Sequence, residues 1–325
     1  MRSRQRSRTS WLGPGIAVPA FICVVFAGVA CLSLFLGVPW ASHWLPGLGR
    51  VSDECPPCKA SGPPAAAPAC PGSSDAAARA RAPPLEDMRT IGLRTGTDKM
   101  THHGYDRFYP FFLEPMRQRH IAGNPIKMLE IGFLGGDSHA MWKQYFPGAD
   151  AFIMEFSFNA PKPELEREFF RGDQGSLADL ERMVQEKRLE GALDLIVDDG
   201  SHHPEHQTIS FRYLWEHALK PGGVYIVEDI EMSYWKSGDT YGKSTVFGKN
   251  HPEAFITKLI DLVHVANREF SLAPDKFTSS FGPAVDDWTS AVFFAHNCAV
   301  ILKMTSEERQ RYVREYRYKK KLRPP

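Results

Sequence analysis

The chain has 325 residues, 43% of them apolar, and a formal net charge of +1. That composition can bury a sizeable core. No long basic patch is interleaved with aromatic residues in the middle of the chain, so nucleic acid is not an expected partner.

The chain begins with Arg2, Arg4, Arg6 and Arg8, followed by an uncharged apolar run over residues 13–38. Roughly 20 helical residues cross a bilayer, so this run is long enough to serve as a transmembrane anchor. A cleaved signal peptide is the competing reading, with a usual apolar core of roughly 7–15 residues. The arginines favour a cytosolic tail over residues 1–12 and place everything after Trp40 across the membrane. Residues 39–84 are rich in Pro, Ala, Gly and Ser and read as an extended, disordered stem. An anchor, a stem and a globular part form the layout of a single-pass type II membrane protein. The expected location is therefore the Golgi or another secretory compartment, with the globular domain lumenal. Cys55 and Cys58 in the stem form a disulfide there or have no role, and zinc-finger spacing is missing.

From Leu85 onward the apolar periodicity alternates between strand and helix, giving a third expected domain over residues 85–325. Lys127–Gly132 reads as a strand, and Phe133–Asp137 as the turn into a helix over Ser138–Tyr145. The glycines of this turn let backbone approach a ligand, although a plain strand-to-helix turn has the same composition. A second strand, Ala151–Glu155, ends in an acid twenty-five residues after Glu130. An acid at that place can accept both hydroxyls of a ribose, or it can be a solvated strand end. Glu168–Arg171 reads as a third strand, closing in Gly172-Asp173-Gln174, where Asp173 is placed to receive an adenine amino group. A helix over residues 176–188 follows, with Leu177, Leu180, Met183 and Val184 on its core face.

The fourth strand, Leu193–Val197, runs into Asp198-Asp199-Gly200-Ser201-His202. A helix over Pro204–Leu219 and a Lys220-Pro221-Gly222-Gly223 turn lead to a fifth strand ending at Glu228-Asp229. Two short apolar runs that both end in acids read as neighbouring buried parallel strands. They bring Asp199, Glu228 and Asp229 together at one sheet edge, with His202 three residues beyond the first. Crowded carboxylates repel unless a cation holds them, and all-oxygen ligation favours Mg2+, Mn2+ or Ca2+ over zinc or copper. A histidine beside such an ion can take a proton from a hydroxyl whose pKa the ion has lowered. A turn-capping role for His202 is the structural alternative. His102 and His103 are placed either in a lid over a donor or on the surface. Further on, a helix over residues 252–266 precedes two runs, Ala291–Ala295 and Ala299–Lys303, that read as a hairpin. Thr305-Ser306-Glu307-Glu308 is a capping box that opens a last helix. The expected fold is α/β: a doubly wound, mostly parallel, seven-stranded sheet with a C-terminal antiparallel hairpin.

Six segments in register then carry a resemblance. They are Gly96-Thr97-Asp98-Lys99, Leu129-Glu130-Ile131-Gly132, Met141-Trp142 with Tyr145-Phe146-Pro147, Gly172-Asp173-Gln174, Asp198 through His202, and Pro221-Gly222-Gly223 with Tyr225 and Glu228-Asp229. Over residues 92–235 the chain resembles class I S-adenosylmethionine-dependent methyltransferases, and within them the magnesium-dependent sugar O-methyltransferases of macrolide biosynthesis. The resemblance implies S-adenosylmethionine and Mg2+ as cofactors and a Rossmann-like fold. It implies donor contacts at Glu130, Gly132, Glu155 and Asp173, metal ligands at Asp199, Glu228 and Asp229, and His202 as general base. Glu155 departs from that family, where Asp is usual, and the anchor and stem have no counterpart in its soluble bacterial enzymes. The expected acceptor is a hydroxyl of a sugar or glycan. A phenolic or small-metabolite acceptor, or a tethered module without turnover, is the alternative, and a homo-oligomer is left open.

Overall fold

The computed structural model describes residues 85–157, 163–235, 248–270 and 277–312. The expected tail, anchor and stem, with Cys55 and Cys58, lie outside these residues. Among the described residues, no helix is long and apolar enough to cross a membrane.

Strands β1 (Lys127–Ile131), β2 (Asp150–Glu155), β3 (Phe169–Arg171), β4 (Leu193–Asp198), β5 (Leu219–Glu228), β6 (Thr289–Ala295) and β7 (Cys298–Lys303) form one sheet in the order β3-β2-β1-β4-β5-β7-β6. The first five are parallel, and β7 lies antiparallel between β5 and β6. This is the doubly wound sheet with a terminal hairpin that the alternating pattern predicts.

The helices are α1 (Met88–Thr95), α2 (Asp98–Thr101), α3 (Tyr109–Ile121), α4 (Asp137–Tyr145), α5 (Leu177–Lys187), α6 (Pro204–His217), α7 (Phe255–Ala266), α8 (Pro283–Asp286) and α9 (Ser306–Tyr312). Short 3-10 turns cover Tyr105–Arg107 and Ile230–Tyr234. The two faces of the sheet are built by period-two alternation within each strand. Leu129, Ile196, Tyr225 and Ile301 face α5, α6, α7 and α8 in one core cluster. Their neighbours Met128, Leu195, Val197, Val224 and Val300 face α1, α3 and α4 in the other.

Four features differ from the sequence reading. Leu177, expected on the core face of α5, is exposed, because as the first residue of the helix it lies beyond the buried stripe of Leu180, Met183 and Val184. Helices α1 to α3 fill residues for which the pattern gave no element. In α3 the buried positions Tyr109, Leu113, Met116, Arg117 and His120 keep a helical spacing. Two of them, Arg117 and His120, are basic, however, Phe111 is 77% exposed, and Pro115 lies inside the helix, so the apolar stripe is blurred. The expected turn at residues 220–223 is instead the irregular start of β5, with Gly222 at φ +78° and its N–H bonded to Met304 O. Helix α7 starts at Phe255, later than expected. The capping box is present: Thr305 N donates to Glu308 Oε2 (2.8 Å), and Glu308 N donates to Thr305 Oγ1 (3.0 Å).

Phe211 on α6 is fully buried and packs at ring separations of 5.0 Å on Tyr225 and 4.8 Å on Phe281. Phe211→Ala is expected to cost about 3–5 kcal/mol of stability, through lost burial plus the cavity left behind. A chemical-denaturation midpoint measured on both proteins checks this.

Candidate active site

The parity of each strand decides where its terminal acid points. Glu130 continues the Met128 side of β1, and Glu228 continues the Val224–Ile226 side of β5. Asp199, one residue past the end of β4, continues the Leu195–Val197 side. All three therefore turn toward the face covered by α1 to α3. Asp198 turns the other way, accepting from Ser210 Oγ (2.6 Å), Gln174 Nε2 (2.8 Å) and Tyr225 OH (3.2 Å). Burial pushes its carboxyl above the usual range, although those three donors oppose the shift. Gln174 passes the constraint on, because its Oε1 accepts Ser201 N at 2.6 Å and so fixes the loop carrying His202.

Into the row of Glu130, Asp199 and Glu228 comes Lys99 from α2, with its side chain fully buried. Its ammonium donates to Asp199 Oδ2 (2.5 Å) and Glu228 Oε2 (2.8 Å), and lies 3.6 Å from Glu130 Oε1. Tyr109 OH donates to the other Glu228 oxygen at 2.5 Å, and Trp142 Nε1 donates to Glu130 Oε1 at 3.0 Å. Burial and the neighbouring Asp199 push Glu228 well above the usual carboxylate range, against the pull of Lys99. Asp199 goes the other way: burial would raise it, but Lys99 and His202 hold it down at about 2.

Asp229 and His202 stand on the outer side of Asp199. Both have left-handed backbone, with φ +50° and φ +61°. That conformation is uncommon for residues other than glycine and turns each side chain out of the run of its chain. His202 Nε2 lies 3.4 Å from Asp199 Oδ1 and 3.6 Å from Asp229 Oδ2. Burial pulls the His202 pKa down, but Asp199, Asp229 and Glu231 outweigh it and the net shift is upward. Asn297 Nδ2 (2.8 Å) and Tyr105 OH (3.1 Å) both donate to Asp229 Oδ1.

Among the described residues, Asp199, His202 and Asp229 form a group that could hold a metal ion, with one ligand atom from each lying within 4.8 Å of the others. Two carboxylates and one imidazole suit a divalent cation, and the oxygen share favours a hard one. Glu228, also expected among the ligands, lies behind Asp199 with both oxygens engaged by Lys99 and Tyr109.

A cavity of about 350 Å³ opens beside this row, lined by Gly132, Glu155, Phe156, Asp173, Gln174 and Ser201 among others. That volume is ordinary for a small-molecule site. Three of the four expected donor residues line it, while Glu130 is buried beneath, against Lys99 and Trp142. At Gly132 (φ +95°) a Cβ would come within 2.0 Å of the Asp199 carbonyl oxygen, so no side chain fits. Glu155 accepts from Phe133 N and Ser157 N, both at 2.9 Å. Burial raises its carboxyl, but these bonds win and the net shift is downward.

A second cavity of about 460 Å³ lies toward Asp229 and is lined by His102, His103, Glu231, Tyr234, His296 and Asn297 among others. The two early histidines thus line this cavity rather than covering the first. His103 stacks on Tyr105 and reaches 3.5 Å from Asp229 Oδ1. Sequence reasoning gave no individual role to Lys99, Tyr105, Tyr109 or Asn297. Only Lys99 had a signal, as the last residue of Gly96-Thr97-Asp98-Lys99.

No protein-family model matches the chain. Similar curated proteins are the 8-demethyl-8-alpha-L-rhamnosyl tetracenomycin-C 2'-O-methyltransferase of Streptomyces olivaceus, at 30% identity over 184 residues (54% of this chain, 45% of that protein), and the L-olivosyl-oleandolide 3-O-methyltransferase of Streptomyces antibioticus, at 32% over 197 residues (57% and 47%). The mycinamicin VI 2''-O-methyltransferase of Micromonospora griseorubida matches at 33% over 124 residues (36% and 30%). This chain spans less than half the length of these relatives. Among solved structures, the MycE methyltransferase from the mycinamycin biosynthetic pathway, in complex with Mg, SAH and mycinamycin VI, is similar at 25% identity and a TM-score of 0.55, over 69% of this chain and 55% of that one.

The relatives correct one expectation. They are methyltransferases of Streptomyces and Micromonospora, bacteria that have no Golgi. Among the described residues, moreover, no helix can cross a membrane. The type II secretory-pathway location does not stand, and the run over residues 13–38 that suggested it lies outside the described residues. The resemblance is borne out: this chain has the fold of the MycE methyltransferase and is similar in sequence to sugar O-methyltransferases.

Proposed function

We propose that residues 85–325 form a divalent-metal-dependent O-methyltransferase that moves a methyl group from S-adenosylmethionine to a sugar hydroxyl. The observation that carries this reading is the adjacency of two sites across Gly132. Gly132 lines the cavity holding Glu155 and Asp173, and its α-carbon lies against the Asp199 carbonyl, which brings that cavity beside the Asp199–His202–Asp229 cluster. The sugar acceptor and Mg2+ are supported by similarity to sugar O-methyltransferases and to MycE, which was solved with Mg and SAH.

In this reading Glu155 accepts the ribose hydroxyls of the donor, and Asp173 takes its adenine amino group. Gly132 lets the donor loop lie against the Asp199 backbone. Asp199 and Asp229 hold the ion, with Glu228 behind them as their buried support. The bound ion supplies Lewis acidity that lowers the pKa of an acceptor hydroxyl. His202 takes the hydroxyl proton at Nε2 as the C–S bond of the donor breaks and the new O–CH3 bond forms. The second cavity, beside Asp229, receives the sugar, and Tyr234, about half exposed, offers it an aromatic face. In-line displacement depends on alignment, so a rigid sheet edge that carries both sites suits the reaction.

A labelled-donor assay over a panel of glycosides and phenols, with and without chelator, tests the reading. Transfer is expected to a glycoside, to stop with chelator and to return with Mg2+; full activity in chelator overturns the metal role. His202→Ala is expected to slow transfer by about 10²–10⁴-fold while SAH binding measured by calorimetry is unchanged. Glu155→Ala should do the reverse, weakening SAH by about tenfold or more through loss of charge-assisted hydrogen bonds.

A further inference from the structure

Among the described residues, the buried Lys99 reaches carboxylates from three separate strands or strand ends. The helix carrying it packs against α1: a Cβ at Gly92 would come within 2.1 Å of Met100 Cγ, so the α1 backbone rests directly on the Met100 side chain of α2. Lys99 is 0% exposed and gives two of its three N–H groups to Asp199 Oδ2 and Glu228 Oε2. With Tyr109 on Glu228 Oε1, every oxygen of these two carboxylates has a donor on the inner side except Asp199 Oδ1. That one faces His202 Nε2.

The charge count gives this geometry its meaning. Glu130, Asp199 and Glu228 surround a single ammonium, and Asp229 adds a further carboxylate just outside. A group of acids this buried needs a counter-charge to stay assembled. The ammonium supplies it from inside the fold, and a divalent ion held by Asp199 and Asp229, beside His202, would supply it from outside. Both cations draw on Asp199.

We propose that Lys99 is a positioning residue for the metal site: an internal counter-cation that keeps the acidic row together without an ion and competes with the ion for Asp199. The proposal rests on the metal-dependent reading given above. It makes the ion's affinity a property set by Lys99 as well as by the ligands. Removing the ammonium leaves the acids dependent on the outer cation, while freeing Asp199 Oδ2 and Glu228 Oε2 and ending a repulsion between like charges a few ångströms apart.

The test compares the full chain with Lys99→Met, measuring thermal midpoints in chelator and in Mg2+ and the Mg2+ dissociation constant by calorimetry. Lys99→Met is expected to melt well below wild type in chelator and to recover most of the loss in Mg2+. Its Mg2+-induced rise in midpoint should be at least about twice that of wild type. Its Mg2+ affinity should be about tenfold tighter or more, as removing a neighbouring positive charge at low effective dielectric requires. Should Lys99→Met be insoluble without ion, Lys99→Met/Glu228→Gln is the companion variant. Removing one acid along with the ammonium should restore a soluble chain with a midpoint in chelator near that of wild type. An equal Mg2+-induced rise in wild type and Lys99→Met overturns the proposal, as does weaker Mg2+ binding by Lys99→Met, or a double variant no better than the single. A wild-type chain that does not bind Mg2+ at all overturns the metal-dependent reading itself, which separates the two failures.

Discussion

Four acidic side chains crowd the carboxyl edge of three adjacent parallel strands, and their mutual repulsion is the constraint the rest of the structure answers. Carboxylates a few ångströms apart in a poorly solvated place destabilise one another strongly. The chain responds from both faces of the sheet. On one side α2, α3 and α4 deliver an ammonium, a phenol and an indole N–H to the inner oxygens. On the other, Asp198 is drawn away into its own set of donors, Ser210, Gln174 and Tyr225. What is left facing outward is one oxygen of Asp199, the carboxylate of Asp229 and an imidazole.

Much of this was legible in the sequence because period-two alternation is a strict rule in a buried strand. The runs Leu193–Asp198 and Val224–Glu228 name both the neighbouring strands and the side on which each terminal acid stands. The hairpin and the capping box at Thr305 follow from equally local signals. The cavity residues Gly132, Glu155 and Asp173 were found because each ends a strand or opens the turn after it, where a parallel sheet exposes its ligand-binding edge.

What escaped the sequence reading lies in segments whose pattern is mixed. Helix α3 buries an arginine and a histidine and exposes Phe111, so its apolar face does not announce itself. Lys99 reads as an ordinary polar helix residue, since nothing near it in the chain is acidic except Asp98. Its partners are 31, 100 and 129 positions away. Asn297 sits in a hairpin turn, where asparagine is common for backbone reasons alone, and its contact with Asp229 depends on how β7 packs beside β5. Long-range partners such as these become visible only once the sheet order is known.

The close approach at Gly132 ties the two halves of the edge together. With the Asp199 carbonyl where a Cβ would stand, the loop after β1 and the loop after β4 rest main chain on main chain. Side chains at a contact can be trimmed or lengthened to adjust spacing; peptide groups cannot. A displacement of one loop would be handed to the other without a cushion, so the position of the turn after β1 and that of the loop carrying Asp199 are tied together.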